Sequence, residues 1–149
     1  MAKKDNNLSL RLKLIVDALP LKPGLRILEI GCGSGAAARE IVDRIAFGYV
    51  LGIDRSSTAI SQAIKTSQAQ IKSGILNFRQ MAAESFALEN GEELFDFAFA
   101  IRVGALDGRH PESGQLALPN IARALKYNGK LYIDGGNPLQ EIPLDDYRQ

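Results

Sequence analysis

Nine residues, Ile27-Leu28-Glu29-Ile30-Gly31-Cys32-Gly33-Ser34-Gly35, constrain this chain more than any other stretch. Ile27, Leu28 and Ile30 suit a buried strand. Glycine then stands at every second position, and the good helix formers Ala36, Ala37 and Ala38 follow. The stretch reads strand, tight turn, helix. Glycines admit positive φ and let a ligand approach the backbone with no Cβ between. A helix starting there points unpaired N–H groups and a partial positive charge at the turn. In an α/β sheet such a turn is a place for a nucleotide-like ligand.

The rest of the chain supplies the sheet this turn requires. Leu8, Leu12, Ile15, Val16 and Leu19 fall at helical spacing after a loose polar tail over residues 1–7, and Pro20 stops that helix. Leu25 to Ile30 form the first strand. The helix after the glycine turn buries Ala37, Ile41, Val42 and Ile45 and exposes Arg39, Glu40, Asp43 and Arg44. Tyr49 to Ile53 form a second strand ending in Asp54, and Ser56 or Ser57 caps a helix carrying Ile60, Ala63, Ile64, Ser67 and Ile71 on one face. Ile75 to Gln80 form a third strand. Phe95 to Ile101 are nearly all apolar, as in a strand buried on both faces. Arg102 to Gly114 are irregular. Leu116 to Tyr127 read as a helix that Pro119 starts or kinks, Asn128-Gly129 as a turn, and Lys130 to Asp134 as a fifth strand.

This alternation predicts an α/β fold: a three-layer, doubly wound, mainly parallel sheet with strand order 3-2-1-4-5 and a ligand at the switch point between strands 1 and 4. No sixth or seventh strand is evident, and 135–149 read as an irregular tail. At 149 residues the chain is a single domain. A net charge of +1 gives no electrostatic case for nucleic acid or an anionic membrane. The polar start leads into an amphipathic segment, not an apolar signal region, and no run is long enough to span a bilayer. The lone Cys32 suits a reducing compartment, so the expected location is cytoplasmic.

Glu29-Ile30-Gly31-Cys32-Gly33-Ser34-Gly35 resembles the E/D-x-G-x-G-x-G motif of the class I, Rossmann-like S-adenosylmethionine-dependent methyltransferases. Gly52-Ile53-Asp54-Arg55-Ser56 resembles that family's second motif. Asp54 stands nineteen residues beyond Gly35, where a carboxylate can accept hydrogen bonds from both ribose hydroxyls. Phe78 to Phe86 resemble the third motif, with Ala82 where many members carry Asp. Adenine contact then falls to the backbone of Ala82 and Ala83, with Glu84 beside them. Phe95 to Arg102 resemble the fourth motif, whose end lies beside the sulfonium, at Ala100 and Ile101. Ala100-Ile101-Arg102-Val103 is unlike the Asn-Pro-Pro-Tyr of enzymes acting on nucleic-acid amino groups. Ile121 to Leu131 resemble the helix-to-strand turn R-x-L-K-P-G-G, with Tyr127-Asn128 in place of Pro-Gly.

The resemblance implies an S-adenosylmethionine-dependent methyltransferase acting on a small molecule. Its cofactor residues would be Glu29, Gly31, Cys32, Gly33, Gly35, Asp54, Arg55, Ala82, Ala83, Glu84, Ala100 and Ile101. For catalysis the candidates are His110, whose ordinary pKa is near neutral, and Arg102; Arg102 or Arg109 could also bind a substrate carboxylate or phosphate. No His/Cys/Asp cluster indicates a metal. The alternatives are a non-catalytic cofactor-binding or interaction module and a nicotinamide-dependent oxidoreductase, since Gly31, Gly33 and Ala36 also fit G-x-G-x-x-A. Strand 5, as an edge, predicts that the tail packs over it or joins a homodimer contact there.

Overall fold

The computed structural model describes residues 8–148, so the expected 1–7 tail lies outside it. Its helices are α1 (Leu10–Ala18), α2 (Ala36–Val42), α3 (Ser57–Thr66), α4 (Gln68–Lys72) and α5 (Pro111–Ala124). Its strands are β1 (Arg26–Ile30), β2 (Tyr49–Asp54), β3 (Leu76–Gln80), β4 (Phe95–Ala100), β5 (Leu125–Asp134) and β6 (Leu139–Ile142). Short 3-10 turns occupy Ala83–Ser85 and Asp145–Tyr147. The sheet order is β3-β2-β1-β4-β5-β6; the first five strands are parallel and β6 is antiparallel to β5.

Alternation along the strands divides the core between the two faces of the sheet. Ile27, Val50, Phe97 and Phe99 pack with Val16 of α1, Ile41 of α2 and Ile60 of α3. Leu28, Leu51, Ala98 and Leu131 pack with Ala117 and Ile121 of α5. Phe95 joins the α5 side although it lies two residues from Phe97, and the β4–β5 register is irregular between the same two residues. No helix among the described residues is long and apolar enough to cross a membrane.

The expected order 3-2-1-4-5 stands, and the sheet then continues. The tail read as irregular contains β6, paired from Asp134↔Leu139 to Leu131↔Ile142. Pro138 and Pro143 flank this strand and leave its own N–H groups free to pair. The helix expected from Ser57 onward is divided at Ser67 into α3 and α4. Helix α5 begins five residues before Leu116, with Pro111 at its first turn and Pro119 inside it. Pro119 leaves the carbonyl of Gln115 unpaired within the helix, and Gln115 is exposed, so water can take it. Asn128-Gly129 lie within β5, at its irregular start, and make no separate turn.

Candidate functional site

The glycine turn is tied down by β2. The N–H groups of Gly31 and Cys32 both donate to the carbonyl of Ile53, at 2.8 and 2.9 Å. Gly33 N–H donates to Asp54 Oδ2 at 2.9 Å, and Ser56 N–H donates to Asp54 Oδ1 at 2.9 Å. One carboxylate thus joins the turn to the start of α3, which Ser56 Oγ caps by accepting from Ala59 N–H. Gly35, at φ 86°, is the cap residue of α2, and a Cβ there would lie 2.7 Å from Phe78 Cζ. A Cβ on Gly33 would meet nothing within 4 Å. The fold therefore requires glycine at 35 for its own packing, while the side of the turn at Gly33 faces open space.

Beneath the turn sits Glu29, 4% exposed, between Gly52 of β2 and Phe99 of β4. Its Oε1 has no hydrogen-bond partner among the described residues. Burial pushes its carboxyl up to about 8, the negative charge of Asp54 pushes the same way, and Arg39 pulls back. Arg39, expected on the exposed face of α2, is buried instead. Its Nη1 donates to Ser34 O, Thr66 Oγ1 and Ser67 Oγ at 2.8–3.0 Å, joining the turn to the α3–α4 junction. The break at Ser67 places that acceptor, and the hydrophobic pattern of α2 alone carries no signal of it. Cys32 is buried against the strand glycine Gly52, where any Cβ would lie 2.9 Å from that of Cys32. Burial, then the charges of Glu29 and Asp54, hold its thiol far above the usual range, so it stays protonated.

A cleft of about 550 Å³ opens above the carboxyl ends of β1, β2 and β4. Of the expected residues, Gly31, Asp54, Arg55, Ala82, Ala83, Glu84, Ile101, Arg102, Arg109 and His110 line it. Glu29, Cys32, Gly33, Gly35 and Ala100 are not on its wall: Glu29, Cys32 and Ala100 are buried below, and Gly33 and Gly35 belong to the turn. The wall also includes Met81, inside the stretch that resembles the third motif, Val103, Gly104 and Ala105 of the loop after β4, and Ser113 in the first turn of α5, none of which the sequence singles out. The Glu84 carbonyl accepts from Asn120 Nδ2 at 2.7 Å, holding that side of the cleft to α5.

At the mouth, Arg102 adopts φ 57°. Its N–H donates to Asp134 Oδ1 at 3.0 Å, and its carbonyl accepts from Arg109 Nη2 at 3.0 Å. Arg109 is itself paired with Asp107 at 2.9 Å, which holds that carboxyl below its usual range. His110 precedes α5 and packs over Gly104, where a Cβ would lie 2.4 Å from His110 Cδ2. Among the described residues, no group of three or more His, Cys, Asp or Glu is placed to hold a metal ion.

The sequence model of the methyltransferase domain matches residues 27–129, from the second residue of β1 into β5. The chain belongs to this methyltransferase family. The domain is 34% identical over 132 residues to an O-methyltransferase of Pyrenophora dematioidea, covering 89% of this chain and 45% of that one. The chain thus spans about half the length of such curated relatives. Among solved structures, phosphoethanolamine N-methyltransferase 2 of Haemonchus contortus, in complex with S-adenosyl-L-methionine, superposes with a TM-score of 0.66. It is 27% identical, over 83% of this chain and 27% of that one. The cyclase SpnF, also 27% identical, has a TM-score of 0.65 over 82% of this chain and 42% of its own.

Proposed function

We propose that this domain binds S-adenosylmethionine in the 550 Å³ cleft and transfers its methyl group to a small-molecule acceptor. The observation that carries the reading is Asp54: a carboxylate at the end of β2, on the cleft wall, bonded to the glycine turn at the switch point of the sheet. Each of its oxygens accepts one backbone N–H and keeps a lone pair for a ribose hydroxyl. The residues present fit the cofactor further. The open side of Gly33 leaves room for a ligand, and the buried Glu29 carboxyl, with Oε1 unpartnered, stands beneath the turn.

In this reading Gly31, whose Cβ side is taken by Val103, lines the cleft, and the open side of Gly33 lets the ligand extend from it over the turn. Glu29, Cys32 and Gly35 shape the turn from below. The backbone of Ala82 and Ala83, with Glu84 and Arg55, frames the adenine end. Ala100 supports Ile101, whose side chain with that of Val103 keeps water from the reacting end. The bound cofactor supplies an activated methyl group on a sulfonium. The chain's contribution is then mainly alignment of the acceptor, worth up to roughly 7–11 kcal/mol in favourable cases. His110, exposed at the mouth, is available to take a proton from the acceptor at a ring nitrogen. Relatives named O-methyltransferase favour an oxygen as the acceptor atom, and Ala100-Ile101-Arg102-Val103 disfavours a nucleic-acid amino group.

The likeness to a cyclase shows that this fold hosts other chemistry, so the test separates binding from transfer. Calorimetry should show binding of S-adenosylmethionine and none of NAD. Asp54→Ala should weaken the cofactor by roughly 3–6 kcal/mol, two charge-assisted hydrogen bonds' worth. An unchanged dissociation constant in the folded variant would remove Asp54 from the site. An acceptor screen reading S-adenosylhomocysteine release tests transfer; binding without release across broad acceptor classes would favour the cofactor-binding module.

A further inference from the structure

A second cavity of about 320 Å³ adjoins the cleft, between α1 and the end of β4. Leu12, Ile15 and Ile101 make it apolar, Ser9 and Arg11 stand at its α1 side, and Arg102 borders it. Ile101 and Arg102 line both cavities, so a molecule seated in one reaches the other past these two residues. We propose, building on the S-adenosylmethionine reading, that this cavity holds the apolar body of the acceptor and that the Arg102 guanidinium holds an anionic group on it. The acceptor would then be a small apolar acid, its acid group a carboxylate or a phosphate.

Three features support the assignment. First, Arg102 is a non-glycine residue in the left-handed region, a conformation that persists only where surroundings fix it and that gathers at binding and catalytic sites. Here Asp134 holds its N–H and Arg109 its carbonyl, so the backbone aims the side chain from a fixed base. Second, its guanidinium makes no hydrogen bond or ion pair among the described residues, whereas Arg11 is paired with Asp134 at 2.8 Å and Arg109 with Asp107. Asp134, which accepts from the Arg102 N–H, spends its other oxygen on Arg11. Third, the cavity is small for a ligand site, matching a single ring or short chain, and its polar edge is cationic. Arginine presents a planar fork that suits carboxylate and phosphate alike.

The test uses protein saturated with S-adenosylhomocysteine and three probes of one shape: benzoate, phenyl phosphate and benzamide. An acid probe should bind roughly tenfold or more tighter than the neutral amide, the weight of one charge-assisted contact, and the better acid identifies the group. Arg102→Met should erase that preference, and Arg102→Lys should restore part of it by keeping the charge. Equal affinities for all three probes would overturn the proposal, as would a preference that survives in Arg102→Met with its thermal midpoint intact. A loss of S-adenosylhomocysteine affinity in Arg102→Met would also overturn it, by giving the arginine to the cofactor. If the unaltered protein fails to bind S-adenosylhomocysteine, the cofactor reading falls, and the same probe series on the unloaded protein still decides Arg102.

Discussion

Glu29 is a buried acid that is costly to ionise. A carboxyl with one oxygen unpartnered, enclosed between Gly52 and Phe99, holds its proton to about 8 against an ordinary 4.5. Because the folded chain binds this proton more tightly than the unfolded chain, its contribution to stability is complete below 4.5. That contribution is lost as pH rises through the window up to about 8. Glu29→Gln removes the titration, so the urea midpoint of the wild type should fall across that window while the variant's stays level. Parallel profiles would show that Glu29 is solvated or paired when folded. The sequence made Glu29 and Asp54 legible because residue type and spacing carry their chemistry. It did not make legible that Arg39 is buried beside Glu29. That burial depends on where α3 breaks, and Ser67 is an ordinary polar residue in a helical pattern.

Among the elements, α1 is the one whose attachment bears most on the proposed acceptor cavity, since it forms one wall. Ile15 and Val16 bury it against the sheet, Arg11 pairs with Asp134 at its first turn, over the ends of β4 and β5, and Asp17 pairs with Arg44 at its last. Asp134 is 12% exposed at the side chain and also holds the Arg102 N–H, so one carboxylate links α1, β5 and the mouth of the cleft. Asp134→Ala leaves that N–H without its acceptor and should cost about 1–3 kcal/mol. Native-state hydrogen exchange should report faster opening of α1, with the amides of β1 unchanged. Equal protection of α1 in both proteins would show that its apolar face and the Asp17–Arg44 pair suffice. The helical spacing from Leu8 to Leu19 announced this helix, and Ser9 caps it by accepting from Leu12 N–H. Its partner in β5 lies 123 residues away, a separation no local pattern spans.

For the whole molecule, the order of the five parallel strands followed from alternation and right-handed crossovers, but β6 did not, because prolines at both ends mask a four-residue strand. That strand closes the edge of β5 that the sequence left open. β6 in turn is short, bounded by Pro138 and Pro143, and carries Gln140 and Glu141, so it is a blunted edge. Beyond it, Leu144 is buried in the α5-side core, and Arg148 donates to the carbonyls of Tyr127 and Gly129 in β5. Removing residues 138–149 would strip the partner from Leu131 to Asp134, uncover Leu131 and Ile133 at a free edge, and lose the burial of Leu144, roughly 2 kcal/mol. The shortened chain should therefore melt at lower temperature and self-associate through β5. Light scattering at increasing protein concentration should show rising mass for it, relative to the intact chain. An unchanged mass together with an unchanged thermal midpoint would mean that β6 neither covers nor stabilises the sheet, and that the free backbone of β5 is tolerated by water alone.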